Sequence, residues 1–198
     1  MTLTAPEIDK YLPITLTAPG MTEGEFHELL AKFPDAMVEY SADGTVTVMP
    51  PTDPKSGSRV HQVGKQLGVW ADKHGKGIVC GPDSGFRLRD GSRLAPDAAW
   101  FDARRWAEAE QSGERFPVFA PDFVVEVRSP DDRIRALREK MESYIVNGVQ
   151  LGWLIDPKER SVTVYRPAKA PQVLNNPASI AGEGPVEGFV LDLARVLD

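Results

Sequence analysis

The stretch APDFVVEVRSPDD, residues 120–132, sets Glu126 among Phe123, Val124, Val125 and Val127. Its segment DFVVEVRS is the most apolar strand signal in the chain, so the carboxylate inside it needs a reason. A desolvated charge is costly unless something offsets it; a salt bridge, a metal ion or a proton on the acid would each do so. Strand alternation puts Val124, Glu126 and Arg128 on one face and Phe123, Val125 and Val127 on the other. The next segment, residues 130–148, reads as a helix with Ile134, Leu137, Met141, Tyr144 and Ile145 on one side and a stop at Asn147-Gly148. Asp131 and Asp132 read as its N-terminal caps. Two strands follow, QLGWLIDP and RSVTVYRP, joined by a turn at DPKER.

Upstream, residues 1–20 are rich in Thr and Pro and read as an extended arm. MTEGEFHELLAKF opens with a capping box, Thr22 and Glu25, and carries an apolar stripe of Phe26, Leu29, Leu30 and Phe33. AMVEYSADGTVTVMP is a hairpin signal around Asp43-Gly44. PPTDPKSG reads as a loop. From Ser58, Val60, Val63, Leu67 and Trp70 recur at helical spacing, with Gly75 as the stop. GIVC, GFRLRD and SRLAPDAAWF read as short strands, DARRWAEAEQSG as a surface helix, and Trp100 and Trp153 as core aromatics. The tail from Ala168 is Pro- and Asn-rich, then closes on the apolar GFVLDLARVL. The pattern predicts an α/β domain with a mixed sheet flanked by helices, over residues 21–167, and a C-terminal extension at 168–198 packed on it.

The composition, 41% hydrophobic and 26% charged over 198 residues, is that of a globular domain. No apolar run approaches the roughly 20 residues of a membrane helix, and the N-terminus lacks a signal-peptide pattern. The single cysteine, Cys80, suits a reducing cytoplasm and reads as a small buried hydrophobe. A net charge of −6 argues against a broadly basic nucleic-acid footprint. It leaves room for a local one, because Arg133, Arg135, Arg138 and Lys140 cluster on the helix after the acidic strand.

A second carboxylate, Asp97, follows Pro96 in a strand-like run, so it belongs at a strand end or bend. Two carboxylates from adjacent strands can converge on one divalent cation, and oxygen-only ligation suits Mg²⁺ or Mn²⁺. Lys140 comes 14 residues after Glu126, on the flank of the helical stripe beside Leu137 and Tyr144, where it can point toward the sheet. Lysine can reorient and lose a proton when partly buried; Arg128 could clamp a phosphate but is a poor proton acceptor.

The ordered set PDAAWF, PDFVVEVRSPDD and REKMESYIVNGVQLGWLIDPKERSVTVYRP, with VEYSADGTVTVMPP and the helix containing His61, resembles the Uma family of bacterial restriction-endonuclease-like proteins, within the PD-(D/E)XK nuclease superfamily. The resemblance covers roughly residues 21 to 167. It implies a restriction-endonuclease-like fold and Mg²⁺-dependent hydrolysis of DNA, with Asp97 and Glu126 as the motif acids and the backbone carbonyl of Val127 as a further metal ligand. The superfamily's lysine usually stands two residues after the glutamate, where this chain has Arg128; in Uma-like sequences it moves to the next helix, which points to Lys140 to position or deprotonate the attacking water. Glu39, His61 and Arg128 are expected in an outer part of the site. A homodimer is expected, since cutting both strands of a duplex needs two sites. The alternative is a nuclease-like fold kept as a binding or assembly module with weak or no catalysis, which the acidic charge and Arg128 favour.

Overall fold

A computed structural model describes residues 12–74, 77–114 and 116–198. The main sheet has six strands, in the order β11 (Lys169–Asn175), β10 (Ser161–Arg166), β9 (Leu151–Asp156), β8 (Phe123–Val127), β7 (Ala98–Phe101) and β4 (Ile78–Cys80), numbered along the chain. It is mixed: β8 and β9 run parallel, and the other neighbours are antiparallel. A second sheet of five strands runs β1 (Ile14–Thr17), β3 (Thr45–Met49), β2 (Met37–Tyr40), β6 (Arg93–Leu94) and β5 (Phe86–Arg87). Among the described residues the α-helices are α1 (Glu23–Lys32), α2 (Pro54–His74), α3 (Ala103–Gln111) and α4 (Ile134–Val146).

Alternation along β8 sorts the core into two halves. Phe123, Val125 and Val127 pack with Val63, Leu67 and Trp70 of α2, while Val124 packs with Met141 and Tyr144 of α4. The parallel β8–β9 pair is joined through α4, as a parallel connection requires a crossover. Trp100 and Trp153 are both core residues, as the sequence predicts. α1 begins with the expected capping box between Thr22 and Glu25 and lays Phe26 on the smaller sheet, among Val38, Tyr40, Val46 and Val48.

Local differences from the sequence reading have identifiable causes. α2 starts at Pro54, inside the expected loop, because the Asp53 carboxylate caps the N–H groups of Lys55 and Ser56 and proline suits a first helical turn. Its expected stop at Gly75, like residues 1–11 of the expected arm, lies outside the described residues. Ile14–Thr17 of that arm forms β1 on β3. α4 begins only after Arg133, with no side-chain cap: Asp132 instead accepts from the Ser129 N–H at 2.7 Å, bridging the loop before the helix. The run SRLAPDAAWF is not one strand. It breaks at Ala95-Pro96-Asp97, where the chain passes from the smaller sheet to the larger one. The boundary expected at 168 falls in the turn between β10 and β11, so the tail adds an edge strand. It then returns over α2: Ile180, Phe189, Leu191 and Leu193 join the α2-side core, and Gln66 holds the Asp192 backbone through two hydrogen bonds.

Gly152 leaves room for the end of the Met141 side chain of α4 against the sheet. A Cβ there would lie 2.4 Å from Met141 Cε and 3.4 Å from Val124 Cγ2. Gly152→Val should therefore force the buried Met141 side chain aside and cost roughly 1–3 kcal/mol, as overpacked cores do. Chemical denaturation checks this; an unchanged midpoint would show that Met141 repacks without cost.

Candidate active site

Pro96 ends the ladder between β7 and β8. The last registered pair there is Ala98 with Val125, so Asp97 stands opposite Glu126 and Pro96 opposite Val127. Cross-strand partners share a face, which brings the two carboxylates together on the α4 side. Along β8, the Arg128 N–H bonds to β9, so the N–H and carbonyl of Val127 point toward β7. The Val127 N–H donates to Asp97 Oδ2 at 2.7 Å, so the side chain continues what the proline interrupts. Pro96 has no N–H to offer the Val127 carbonyl, which therefore lacks its ladder donor.

Lys140 enters from α4. Its Nζ lies 2.7 Å from Glu126 Oε1, 2.7 Å from Glu39 Oε1 and 2.9 Å from the Ala95 carbonyl oxygen. An ammonium has three N–H donors, and three protein oxygens surround this one. Glu39 comes from β2 of the smaller sheet, is buried, and also accepts from the Ala95 N–H at 2.8 Å. It belongs to the inner cluster, not to an outer part. The hydroxyl of Tyr144, one turn beyond Lys140, donates to Glu126 Oε1 at 3.2 Å. Among the described residues, no hydrogen bond reaches Glu126 Oε2 or Asp97 Oδ1.

Two carboxylates thus pair with one ammonium, and a third, Asp97, lies within reach of its charge. Burial raises the pKa of Asp97 to about 6; the Val127 N–H and Lys140 oppose it, and the charges of Asp132 and Glu39 add to it. Burial likewise lifts Glu126 to about 8, against the pull of Lys140 and with the push of Asp97 and Glu39. Burial alone would lower Lys140, but the charges of Glu126 and then Glu39 outweigh it and hold the ammonium above its ordinary value. Glu126 and Lys140 compete here, because a neutral Glu126 forfeits the pairing that lifts Lys140. The charge count decides: Lys140 stays charged, and a surplus of negative charge keeps a proton on the acids near neutral pH. With all three acids ionised the set carries about two charges in excess of its lysine, which a divalent cation would balance.

Residues 24–194 match the Uma2 family, described as "Putative restriction endonuclease". The chain belongs to that family. A crystal structure of a "putative nuclease belonging to DUF820" from Anabaena variabilis is similar to it, with a TM-score of 0.71 at 22% identity, over 85% of this chain and 96% of the other. That likeness shows the fold, a nuclease fold as the sequence predicts. The chain matches no curated protein.

In this Uma2 chain the other expected outer residues stand apart from the cluster. Arg128 turns to Asp156, 2.8 Å from its Oδ2, in a largely buried ion pair, so Lys140 and not Arg128 is the cation beside Glu126. His61 is exposed on α2, which packs on the face of the sheet opposite Glu126. Cys80 is partly buried and its thiol pKa is raised by burial, with Ser84 opposing, as suits a packed residue. Tyr144 reads in the sequence only as part of the apolar stripe; its spacing of four from Lys140 is the signal that places both on Glu126. Among the described residues, no group of three or more His, Cys, Asp or Glu is arranged to hold a metal ion. A cation here would have two carboxylates, Asp97 and Glu126, and the Val127 carbonyl.

The raised acids predict a pH dependence. Their folded forms keep protons that the unfolded chain has released, so their contribution is fully present below about pH 4 and is lost as pH rises through about 6 and then 8. Lys140 remains charged throughout this window and adds no slope. In chelator, thermal unfolding should fall in midpoint from pH 5 to 8, and Glu126→Gln should flatten the upper part. A midpoint that rises over this range would contradict the charge count.

Proposed function

We propose that this chain is a metal-dependent endonuclease that hydrolyses phosphodiester bonds in DNA, using Asp97, Glu126 and Lys140. The observation that carries the reading is the Lys140 ammonium 2.7 Å from Glu126, where Glu126 faces Asp97 across two strands. The family description and the nuclease fold support it. Asp97, Glu126 and the Val127 carbonyl are the groups that would hold Mg²⁺ or Mn²⁺. Their surplus charge and a carbonyl to which Pro96 offers no N–H fit a hard divalent cation. Such an ion, when bound, polarises the phosphodiester and favours ionised water.

The chain's own groups do the rest. Glu126 and Glu39 hold the Lys140 ammonium above its ordinary pKa, which favours orienting water over taking its proton. The role of Lys140 is to orient water and to offset charge developing on the phosphate oxygens. Glu39 steadies that ammonium from the smaller sheet. Arg133, Arg135 and Arg138 are exposed on and just before α4, where they can contact phosphates without reading sequence. A pair of such sites, one in each of two copies of the chain, would cut both strands of a duplex together. Among the described residues, no helix is long and apolar enough to cross a membrane.

A second reading, a binding module without catalysis, is favoured by the three oxygens already around Lys140. Nicking of supercoiled plasmid DNA separates the two. With Mg²⁺ or Mn²⁺ the wild type should relax the plasmid, and Glu126→Ala should lower the rate roughly 100-fold or more. Equal rates in both proteins would remove the mechanism; no cleavage together with intact DNA binding would favour the module.

A further inference from the structure

Tyr144 has no part in the chemistry above. Its side chain is fully buried in the α4-side core, with Met141, Val124 and Leu154. Its hydroxyl donates to Glu126 Oε1 at 3.2 Å, the same oxygen that lies 2.7 Å from Lys140 Nζ. The two donors reach that oxygen independently. Lys140 is shared with Glu39 and the Ala95 carbonyl, whereas the Tyr144 hydroxyl comes from a ring that packing holds in place. A single shared donor leaves the carboxylate free to turn about that contact; a second donor from a packed ring restricts it. With Oε1 held twice, Oε2 is left without a donor among the described residues.

We propose that Tyr144 is a positioning residue: it fixes Glu126 through Oε1 and so presents Oε2 to a divalent cation shared with Asp97. The inference rests on the metal site proposed in the preceding subsection. Partners that orient a ligating carboxylate typically change metal affinity by roughly 10- to 100-fold when removed. A tyrosine that only fills the core would change folding and leave affinity alone.

Calorimetric titration with Mn²⁺ tests this on the wild type, Tyr144→Phe and Met141→Ala, alongside thermal unfolding of each in chelator. Tyr144→Phe should bind Mn²⁺ roughly 10- to 100-fold more weakly, with its metal-free midpoint near that of the wild type. Met141→Ala should unfold earlier and keep wild-type affinity. Equal affinity in the wild type and Tyr144→Phe would overturn the role of Tyr144 and leave the metal site standing. Parallel weakening in Met141→Ala would mark the effect as packing and overturn the role too. No saturable Mn²⁺ binding by the wild type at millimolar concentration would remove both the site and the inference.

Discussion

An excess of buried negative charge over positive governs this structure. Glu39 and Glu126 pair with a single ammonium and Asp97 stands across the strands from Glu126, at the place where the chain crosses from one sheet to the other. Burial makes each unpaired carboxylate expensive, so the cluster either keeps protons or draws in a cation. Lys140 supplies one positive charge and two ion pairs, and in doing so ties α4 to both sheets. The same contacts that hold the architecture together leave it short of positive charge.

Each part of the fold sets one coordinate of that cluster. Pro96 stops β7 and frees Asp97 to cap the Val127 N–H. The parallel β8–β9 pair demands a crossover, and that crossover is the helix that carries Lys140 and Tyr144. Gly152 leaves room for Met141 of that helix against the sheet. The smaller sheet contributes Glu39, and Ala95, in the crossing between the sheets, contributes two backbone groups: the N–H that bonds Glu39 and the carbonyl that receives Lys140.

Much of this was readable one segment at a time. Period-two alternation places Glu126, and the proline places Asp97. Helical spacing puts Lys140 on the flank of its stripe, facing the sheet. These are local regularities, and local regularities survive folding. What depended on docking between distant segments was not readable. Glu39 looked peripheral because nothing in its hairpin says where the smaller sheet lies against α4. His61 looked close because a helix period does not tell which face of the sheet the helix will cover. Tyr144 looked apolar because a buried ring with a bonded hydroxyl has the same spacing as a buried phenylalanine. Asp132 read as a helix cap, yet the loop before α4 used its carboxylate first. The edge pairings of β1 and β11 likewise join segments whose own sequences do not name a partner.

The most direct test is a crystal structure of the chain grown with saturating Mn²⁺, with anomalous scattering recorded at the manganese edge. The account predicts a single strong peak within coordination distance of Asp97, Glu126 and the Val127 carbonyl oxygen. An ordered cluster with no peak there, and Lys140 still bridging Glu39 and Glu126, would contradict it.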